Sequence, residues 1–241
     1  MTNPEAARRA KYGPLDAIEV PGEPDAPVVV CLHGYGANAA DLAPLAMELR
    51  LGAPARWIFP DAPLELEFGG FMNSRAWFPI DMEELDRLQR EGRHRDFARV
   101  RPPKLDAARQ AVRELIDAAG ISWDQLIIGG FSQGSMVALD VLLHETRKPK
   151  GLFILSGNLV DEKNVQDRAR RLAGLRYFQS HGTDDVLLSF QGAAALSGVL
   201  REAGLEGALR RFAGGHALPP EVLMDLGAYL KSLQDAAAPQ G

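Results

Sequence analysis

The chain has 241 residues, of which 46 % are hydrophobic and 24 % are charged, so it can bury a large core as one domain. Its net charge of −5 argues against a nucleic-acid partner, because such a partner requires a basic face. The sequence has no apolar run long enough to span a membrane, no signal peptide and a single cysteine, so we expect a cytoplasmic protein without an integral membrane segment, a disulfide or a cysteine metal site.

The first part of the chain predicts an arm followed by a buried strand. Residues 1–16 are charged and contain two prolines, so we expect a loose arm, with residues 17–241 forming the domain and a first edge strand near 17–20. Residues 27–32 read Pro-Val-Val-Val-Cys-Leu without polar alternation, which is typical of a strand buried on both faces of a parallel sheet.

A glycine-bearing loop follows that strand at residues 33–38. Hydrolases of the α/β type place one backbone N–H of the oxyanion hole in a His-Gly loop at this position, and Tyr35 would supply it. Beyond the loop, leucines at helical spacing predict a helix over residues 41–50, with Pro44 tolerated in its first turn.

Residues 64–103 are predicted to be an insertion that covers a pocket. The first part is rich in large apolar side chains, which must cover either the core or an acyl pocket, and we expect Phe71, Met72 and Trp77 to bind substrate. Residues 81–101 contain six arginines, and a solvated helix and loop over the active-site face explains them better than attraction of an anionic head group.

The chain is organised around residues 126–135. An apolar strand pattern leads into Gly-Phe-Ser-Gln-Gly, and a helical pattern follows, which is the context of a nucleophile elbow. The two glycines allow the sharp turn because side chains there would collide with neighbouring backbone. Ser132 would stand at a helix N-terminus, where free N–H groups favour negative charge, and Gln133 would supply the second oxyanion N–H.

Strands and helices then alternate to the end of the chain, with strands predicted at 151–156, 175–180 and 207–212 and helices at 161–172, 190–203 and 220–233. This alternation, with nearly continuous apolar strands, predicts an α/β fold with a mostly parallel, doubly wound sheet and helices on both faces. Right-handed connections would place the carboxyl ends of these strands at one edge.

A serine nucleophile needs a base that a carboxylate orients, and the chain has five histidines. His216 follows the last strand at the edge where the elbow lies, so we assign it as the base. His144 lies about 18 Å along the helix from the serine, which is too far. We expect His33 to belong to the oxyanion loop, His94 to lie on the surface, and His181 to hold the loop that follows it.

The carboxylate is expected in the loop after the strand at 175–180, where Asp184 and Asp185 are adjacent. Only one of them can accept the imidazole N–H, and the other would cap the turn or the next helix. The order Ser, Asp, His along the chain is that of α/β-hydrolases.

With these residues assembled, the chain resembles the phospholipase/carboxylesterase family, which includes bacterial carboxylesterases and acyl-protein thioesterases. The matching stretches are Leu-His-Gly-Tyr-Gly at 32–36, Arg-Ala-Trp-Phe at 75–78, Gly-Phe-Ser-Gln-Gly at 130–134, His-Gly-Thr-Asp-Asp at 181–185 and Gly-His at 215–216. The resemblance implies an α/β-hydrolase fold, oxyanion donors at Tyr35 and Gln133, and an acyl groove lined by the Trp77 segment. It selects Asp185, the fifth residue of a His-Gly-x-x-Asp motif.

The chain departs from the family pattern at three places. The family usually has leucine where Tyr35 stands and glycine where Ser135 stands. Its Asp-x-x-Val-Pro ending is blurred at residues 185–189, which keeps Asp184 as an alternative to Asp185.

We therefore expect a serine hydrolase that cleaves carboxylic esters or thioesters of small acyl substrates through an acyl-enzyme, without cofactor or metal. Ser132 attacks, His216 transfers the proton and Asp185 orients the imidazole. The alternatives are a lysophospholipase or acyl-protein thioesterase acting on long chains, and a catalytically silent binding protein of the hydrolase fold. The expected partner is a small-molecule ester, and the oligomeric state, with a homodimer as one form, stays open.

Overall fold

The computed structural model describes residues 7–49, 54–66 and 73–235. The strands in these ranges are β1 (Arg8–Tyr12), β2 (Leu15–Val20), β3 (Val28–Leu32), β4 (Arg56–Pro60), β5 (Leu64–Glu65), β6 (Arg75–Ala76), β7 (Leu126–Phe131), β8 (Gly151–Leu155), β9 (Arg176–Gly182) and β10 (Glu206–Phe212). The helices are α1 (Ala39–Leu42), α2 (Leu45–Glu48), α3 (Met82–Arg90), α4 (Leu105–Ala118), α5 (Gln133–Leu143), α6 (Glu162–Arg168), α7 (Phe190–Glu202) and α8 (Pro220–Asp235). None of the helices in the described ranges is both long and apolar enough to cross a membrane.

One large sheet organises the fold, with strand order β1-β2-β4-β3-β7-β8-β9-β10. Neighbours from β4 to β10 run parallel, whereas β2 is antiparallel to β4 and β1 is antiparallel to β2. The predicted fold, a mostly parallel α/β sheet with helices, is confirmed. Because the parallel strands end at one edge, the loops after β3, β7, β9 and β10 lie together there.

The centre of the sheet is buried on both faces, as residues 28–32 show. Val28, Val30 and Leu32 contribute to an apolar core formed with α4 to α7, while Val29 and Cys31 contribute to a second core with α1, α2 and α8. This is the pattern expected for a central parallel strand covered by helices on both sides. Burial raises the pKa of the Cys31 thiol, which therefore stays protonated inside the core.

The prediction of one helix over residues 41–50 is wrong in its bounds and in its continuity. The structure has α1 and α2 instead, and the break falls at Pro44, which stands at the N-cap of α2. Proline lacks the N–H that would continue the hydrogen bonding of α1, and its ring collides with the preceding turn. Asn38 caps α1 by accepting the N–H of Ala40 at 2.9 Å. Arg50 lies outside the described residues.

The prediction of a loose arm over residues 1–16 is wrong for residues 8–12. These residues form β1, which pairs antiparallel with β2. Glu19 of β2 explains the pairing, because its side chain is only 3 % exposed and requires partners. It accepts hydrogen bonds from three side chains: Arg8 Nε at 3.1 Å, the Tyr12 hydroxyl at 2.7 Å and Arg56 Nε at 2.7 Å. The first strand is therefore anchored by a buried carboxylate.

A second buried carboxylate joins the charged segment to α5. All residues of α5 are buried, and one of them is Asp140. Both terminal nitrogens of Arg101 donate to Asp140 at 3.1 Å, and Arg109 adds a bond of 3.1 Å. The predicted solvated character of residues 81–101 holds for the outer arginines, such as Arg87 at 58 % exposure. Arg101 instead fixes the end of the segment to the core.

Replacing Glu19 with glutamine is expected to lower the free energy of unfolding by about 2 kcal/mol at pH 7, because charged hydrogen bonds at a buried site are lost. Burial alone would raise the pKa of Glu19, but the hydrogen bonds from Tyr12, Arg8 and Arg56 outweigh it and hold the pKa below its ordinary value. The carboxylate therefore stabilises the fold fully above its unfolded pKa of about 4.3, and less as the pH falls through the folded value.

Urea unfolding of the wild type and Glu19→Gln at pH 7 and at pH 3.5 measures this difference, which should shrink at the lower pH. The control is Glu48→Gln, an exposed position on α2 where the change should be within about 0.5 kcal/mol. Equal unfolding curves for the wild type and Glu19→Gln at pH 7 would show that Glu19 does not anchor β1.

Candidate active site

Ser132 lies at the turn between β7 and α5, as the sequence predicts. It is half-buried and has φ 54° and ψ −121°, a conformation that strains any residue with a Cβ. A Cβ on Gly130 would lie 2.3 Å from the carbonyl oxygen of Leu32, and a Cβ on Gly134 would lie 2.2 Å from the same atom. Both glycines are therefore required for the turn to pack directly against the end of β3.

The loop after β3 lies beside this serine. A Cβ built on Gly34 would be 3.4 Å from the Cβ of Ser132. Tyr35 and Gly36 follow, and the Gly36 N–H donates to the carbonyl of Arg75 at 2.9 Å. The structure thus brings the predicted oxyanion loop and the serine together, and it ties the loop to β6.

His33 fixes the shape of that loop as a neutral imidazole. Its Nε2 accepts the N–H of Ala62 at 3.0 Å, so this nitrogen carries no proton. Its Nδ1–H then donates to the Gly34 carbonyl at 2.7 Å. Burial lowers the pKa of His33, although the bond to Gly34 opposes this effect. The sequence prediction placed His33 in the loop but did not foresee this bond to Ala62.

Trp77 holds the site from the core and does not line a groove. Its side chain is fully buried, which corrects its predicted contact with substrate, because no surface of it is exposed. The indole N–H donates to the His33 carbonyl at 2.9 Å. Its backbone N–H donates to Gln133 Oε1 at 2.8 Å, and Gln133 Nε2 donates to the Phe78 carbonyl at 2.7 Å. Phe71 and Met72, the other predicted substrate contacts, lie outside the described residues.

Asp185 and His216 form the second half of the site. The Nδ1–H of His216 donates to Asp185 Oδ2 at 2.7 Å, and the backbone N–H groups of Leu187 and Leu188 donate to Oδ1 at 2.9 and 3.0 Å. Burial would raise the pKa of Asp185, but these hydrogen bonds and the imidazole hold it below its ordinary value. The carboxylate is therefore an ionised acceptor that orients the ring of His216.

His216 lies beside the nucleophile turn. Its ring contacts the ring of Phe131, with a centroid separation of 4.7 Å, and Phe131 directly precedes Ser132. Its side chain is 12 % exposed, so the imidazole is reachable from solvent.

The structure brings Asp185 to His216 and leaves Asp184 outside. Asp184 is exposed, and its backbone N–H donates to the carbonyl of Gly214 at 2.9 Å. The predicted capping role of the second aspartate is wrong for Asp184, because Asp185 itself accepts the N–H groups of the turn and Ser189 caps α7.

Two more histidines contact Asp185. The prediction that His181 holds its loop is confirmed by the bond of 2.9 Å between Nε2 and the Leu188 carbonyl. The same Nε2 also lies 3.3 Å from Asp185 Oδ2. His94 is exposed as predicted, yet its Nε2 lies 2.9 Å from the backbone carbonyl of Asp185. His181 could have been found from its place four residues before Asp185, whereas the sequence carries no signal that joins His94 to Asp185.

Within the described ranges, no group of three or more His, Cys, Asp or Glu side chains is arranged to hold a metal ion. The site instead combines a hydroxyl at a helix N-terminus, an imidazole oriented by a carboxylate, and a loop of backbone N–H groups. These are the components of acyl transfer by a serine nucleophile.

The strain at Ser132 generates a stability prediction. Ser132→Gly should be more stable than Ser132→Ala by about 1 kcal/mol, because only glycine adopts this conformation without strain. Both variants lack the hydroxyl, so the comparison isolates the Cβ. Chemical denaturation of the two proteins measures the difference, and a less stable glycine variant would argue against strain at this position.

Comparisons with known proteins identify the family of the chain. The phospholipase/carboxylesterase family matches residues 14–234 of the chain. Acyl-protein thioesterase 1 of Kluyveromyces lactis is 30 % identical over 188 residues, which cover 74 % of this chain and 78 % of that protein. Acyl-protein thioesterase 1 of Candida albicans is 25 % identical over 232 residues, covering 91 % and 98 %. The crystal structure of esterase PE8 has a TM-score of 0.76 and 26 % identity, covering 91 % and 99 %. The chain therefore belongs to the phospholipase/carboxylesterase family.

Proposed function

We propose that this protein is a serine hydrolase that cleaves carboxylic ester or thioester bonds of acyl substrates through an acyl-enzyme. One observation carries the proposal. The Asp185 carboxylate orients His216 at 2.7 Å, and that imidazole packs on Phe131, next to Ser132 at the turn into α5. A serine at this turn with an oriented imidazole beside it is the arrangement that activates a hydroxyl for attack.

In the proposed reaction, His216 takes the proton of Ser132 as the hydroxyl attacks the acyl carbonyl. The resulting tetrahedral oxyanion accepts hydrogen bonds from the backbone N–H groups of Tyr35 and Gln133. Each bond stabilises the transition state by about 3 kcal/mol. His216 then returns the proton to the leaving alcohol or thiol, and the acyl group stays on Ser132. Water, deprotonated by the same imidazole, releases the acid and regenerates the serine.

Preorganisation of the two oxyanion donors supports this mechanism. Gln133 is the first residue of α5, so its N–H precedes the internal hydrogen bonds of the helix. Its side-chain amide binds the backbone of residues 77 and 78, and the Trp77 indole binds the carbonyl that precedes Gly34. The loop and the helix terminus are thereby held in a fixed relation, which lowers the cost of reorganisation during the reaction.

The relatives support the substrate class. The protein of Kluyveromyces lactis is named an acyl-protein thioesterase, and a plant relative, from Arabidopsis thaliana, is named carboxylesterase SOBER1 and is 27 % identical over 216 residues. Esters and thioesters pass through the same acyl-enzyme, so one site serves both. The alternatives that remain are a preference for long acyl chains and a silent site.

The test is hydrolysis of p-nitrophenyl acetate, butyrate, octanoate and palmitate by the wild type and by Ser132→Ala. We expect turnover by the wild type and a loss on the order of 10⁴-fold or more in the variant, because the nucleophile is absent. A preference for the two longer chains would favour the long-chain alternative. Absence of turnover, together with failure of a fluorophosphonate probe to label Ser132, would indicate a silent binding protein.

Asp185→Asn and Asp184→Asn form a matched pair that tests the carboxylate. We expect kcat to fall on the order of 10⁴-fold in Asp185→Asn, because an amide no longer selects the productive imidazole tautomer. Asp184→Asn should retain kcat within about threefold, since its carboxylate faces solvent. Steady-state kinetics on p-nitrophenyl butyrate measures both, and a greater loss in Asp184→Asn would transfer the role to that residue.

A further inference from the structure

Asp185 faces two imidazoles, and the mechanism proposed above uses only one of them. His216 donates to Oδ2 at 2.7 Å, and His181 Nε2 lies 3.3 Å from the same oxygen. The side chains of His181 and Asp185 are both fully buried. A second buried titratable group on the catalytic carboxylate therefore needs an explanation.

The surroundings determine which nitrogen of His181 carries the proton. Its Nε2 faces two acceptors, the Leu188 carbonyl at 2.9 Å and the Asp185 carboxylate at 3.3 Å, so this nitrogen must be the donor. Its Nδ1 is buried, and no atom of the described residues forms a hydrogen bond with it. Burial lowers the pKa of this imidazole, although the backbone carbonyl of Leu188, the Asp185 carboxylate and the backbone of Gly157 oppose that effect. His181 is therefore a neutral ring with its proton on Nε2.

The ionisable groups that face His181 are Asp185, on the loop after its own strand, and His216, on the loop after β10. From α7, Phe190 presents its ring at a centroid separation of 6.3 Å and carries no charge. Asp185 in turn faces these two histidines and the backbone N–H groups of Leu187 and Leu188. A third titratable group, His94, reaches only the backbone carbonyl of Asp185, at 2.9 Å. A change at His181 therefore acts directly on the Asp185–His216 pair.

We propose that His181 is a positioning residue whose Nε2–H bonds the Leu188 carbonyl and lies 3.3 Å from Asp185 Oδ2, and that this N–H dipole sets how strongly the carboxylate stabilises protonated His216. The inference rests on the proposed function. A neutral donor on Oδ2 withdraws negative charge from the oxygen that His216 uses. It also adds a second contact to Oδ2, the oxygen that His216 binds, while the backbone N–H groups of Leu187 and Leu188 hold Oδ1.

The sign of the effect follows from the charges. Without the His181 donor, Asp185 is a stronger acceptor and stabilises the imidazolium form of His216 more. His216 then takes up its proton at a higher pH. The acid midpoint, which is the pH at which half of the activity is lost on acidification, therefore rises. Substituting a residue that only fills space would change the rate or the stability, but it would leave the acid midpoint unchanged.

The test compares His181→Gln with His181→Asn. The glutamine amide reaches the position of the imidazole Nε2 and retains a donor toward Oδ2, whereas the asparagine amide is one methylene shorter and does not reach it. Both side chains are polar and smaller than or similar to histidine, so both variants should fold. The measurement is kcat/KM for p-nitrophenyl butyrate between pH 5 and pH 9.

We expect the acid midpoint of His181→Asn to rise by roughly half a pH unit, which is less than a full hydrogen bond to a carboxylate would give, because the Nε2–H is directed mainly at Leu188. His181→Gln should return the midpoint to the wild-type value. The control is His94→Gln, which should leave the midpoint unchanged. His94 forms its hydrogen bond to Asp185 with the backbone carbonyl and not with the carboxylate. An unchanged midpoint in His181→Asn, or equal shifts in both His181 variants, would overturn the proposal.

A second measurement needs neither a variant nor activity. Two-bond ¹H–¹⁵N correlation spectra of the wild type at pH 7.5 report which ring nitrogen of each histidine is protonated. We expect His181 with its proton on Nε2 and His216 with its proton on Nδ1. A proton on Nδ1 of His181, alone or in addition to Nε2, would overturn the proposal even if the enzyme is active. If instead Ser132 is not labelled by a fluorophosphonate, the proposed function fails, while the His181 assignment is judged by the spectra alone.

Discussion

The close approach of two backbones at the carbonyl of Leu32 determines the rest of this structure. The turn from β7 into α5 packs against the end of β3 so tightly that neither Gly130 nor Gly134 has room for a side chain. Because the residue after Leu32 begins the oxyanion loop, this contact also places that loop beside Ser132. The strain at Ser132 is sustained because α5 is buried along its whole length, so the turn cannot relax without unpacking the core.

The tight packing leaves polar groups that must find partners inside the protein, and these partners are the side chains that shape the site. The Gln133 side chain forms hydrogen bonds with the backbone of residues 77 and 78, and the Trp77 indole donates to the His33 carbonyl. The His33 imidazole in turn accepts the N–H of Ala62. On the opposite side, Asp185 receives hydrogen bonds on both carboxylate oxygens. A network in which each buried member has a partner is rigid, and rigidity is what a site needs when charge develops on a substrate oxygen.

The parts of this fold that could be predicted from the sequence are those with local signals. Apolar runs identified the central strands, and the spacing of Gly130, Ser132 and Gly134 identified the turn. What could not be predicted depends on polar pairs that are distant in the chain. The alternating polar residues of β1 read as an arm because the buried partner, Glu19, lies on the next strand. The contact of the exposed His94 with Asp185 could not be predicted, because the two residues lie 91 positions apart in the chain. The apolar composition around Trp77 predicts a substrate groove, but its complete burial places it in the core.

The bidentate contact between Arg101 and Asp140 determines how freely the segment before α4 can be exchanged. Connecting segments vary more among relatives than the elements they join, so this segment is one that a chimera of two relatives would exchange. Here the segment ends in a guanidinium that neutralises a carboxylate inside α5, the helix that begins after the nucleophile. A chimera that omits Arg101 would leave Asp140 with Arg109 as its remaining arginine partner among the described residues. Residues 101 and 140 should therefore be transplanted together, as one unit that spans the boundary of the graft.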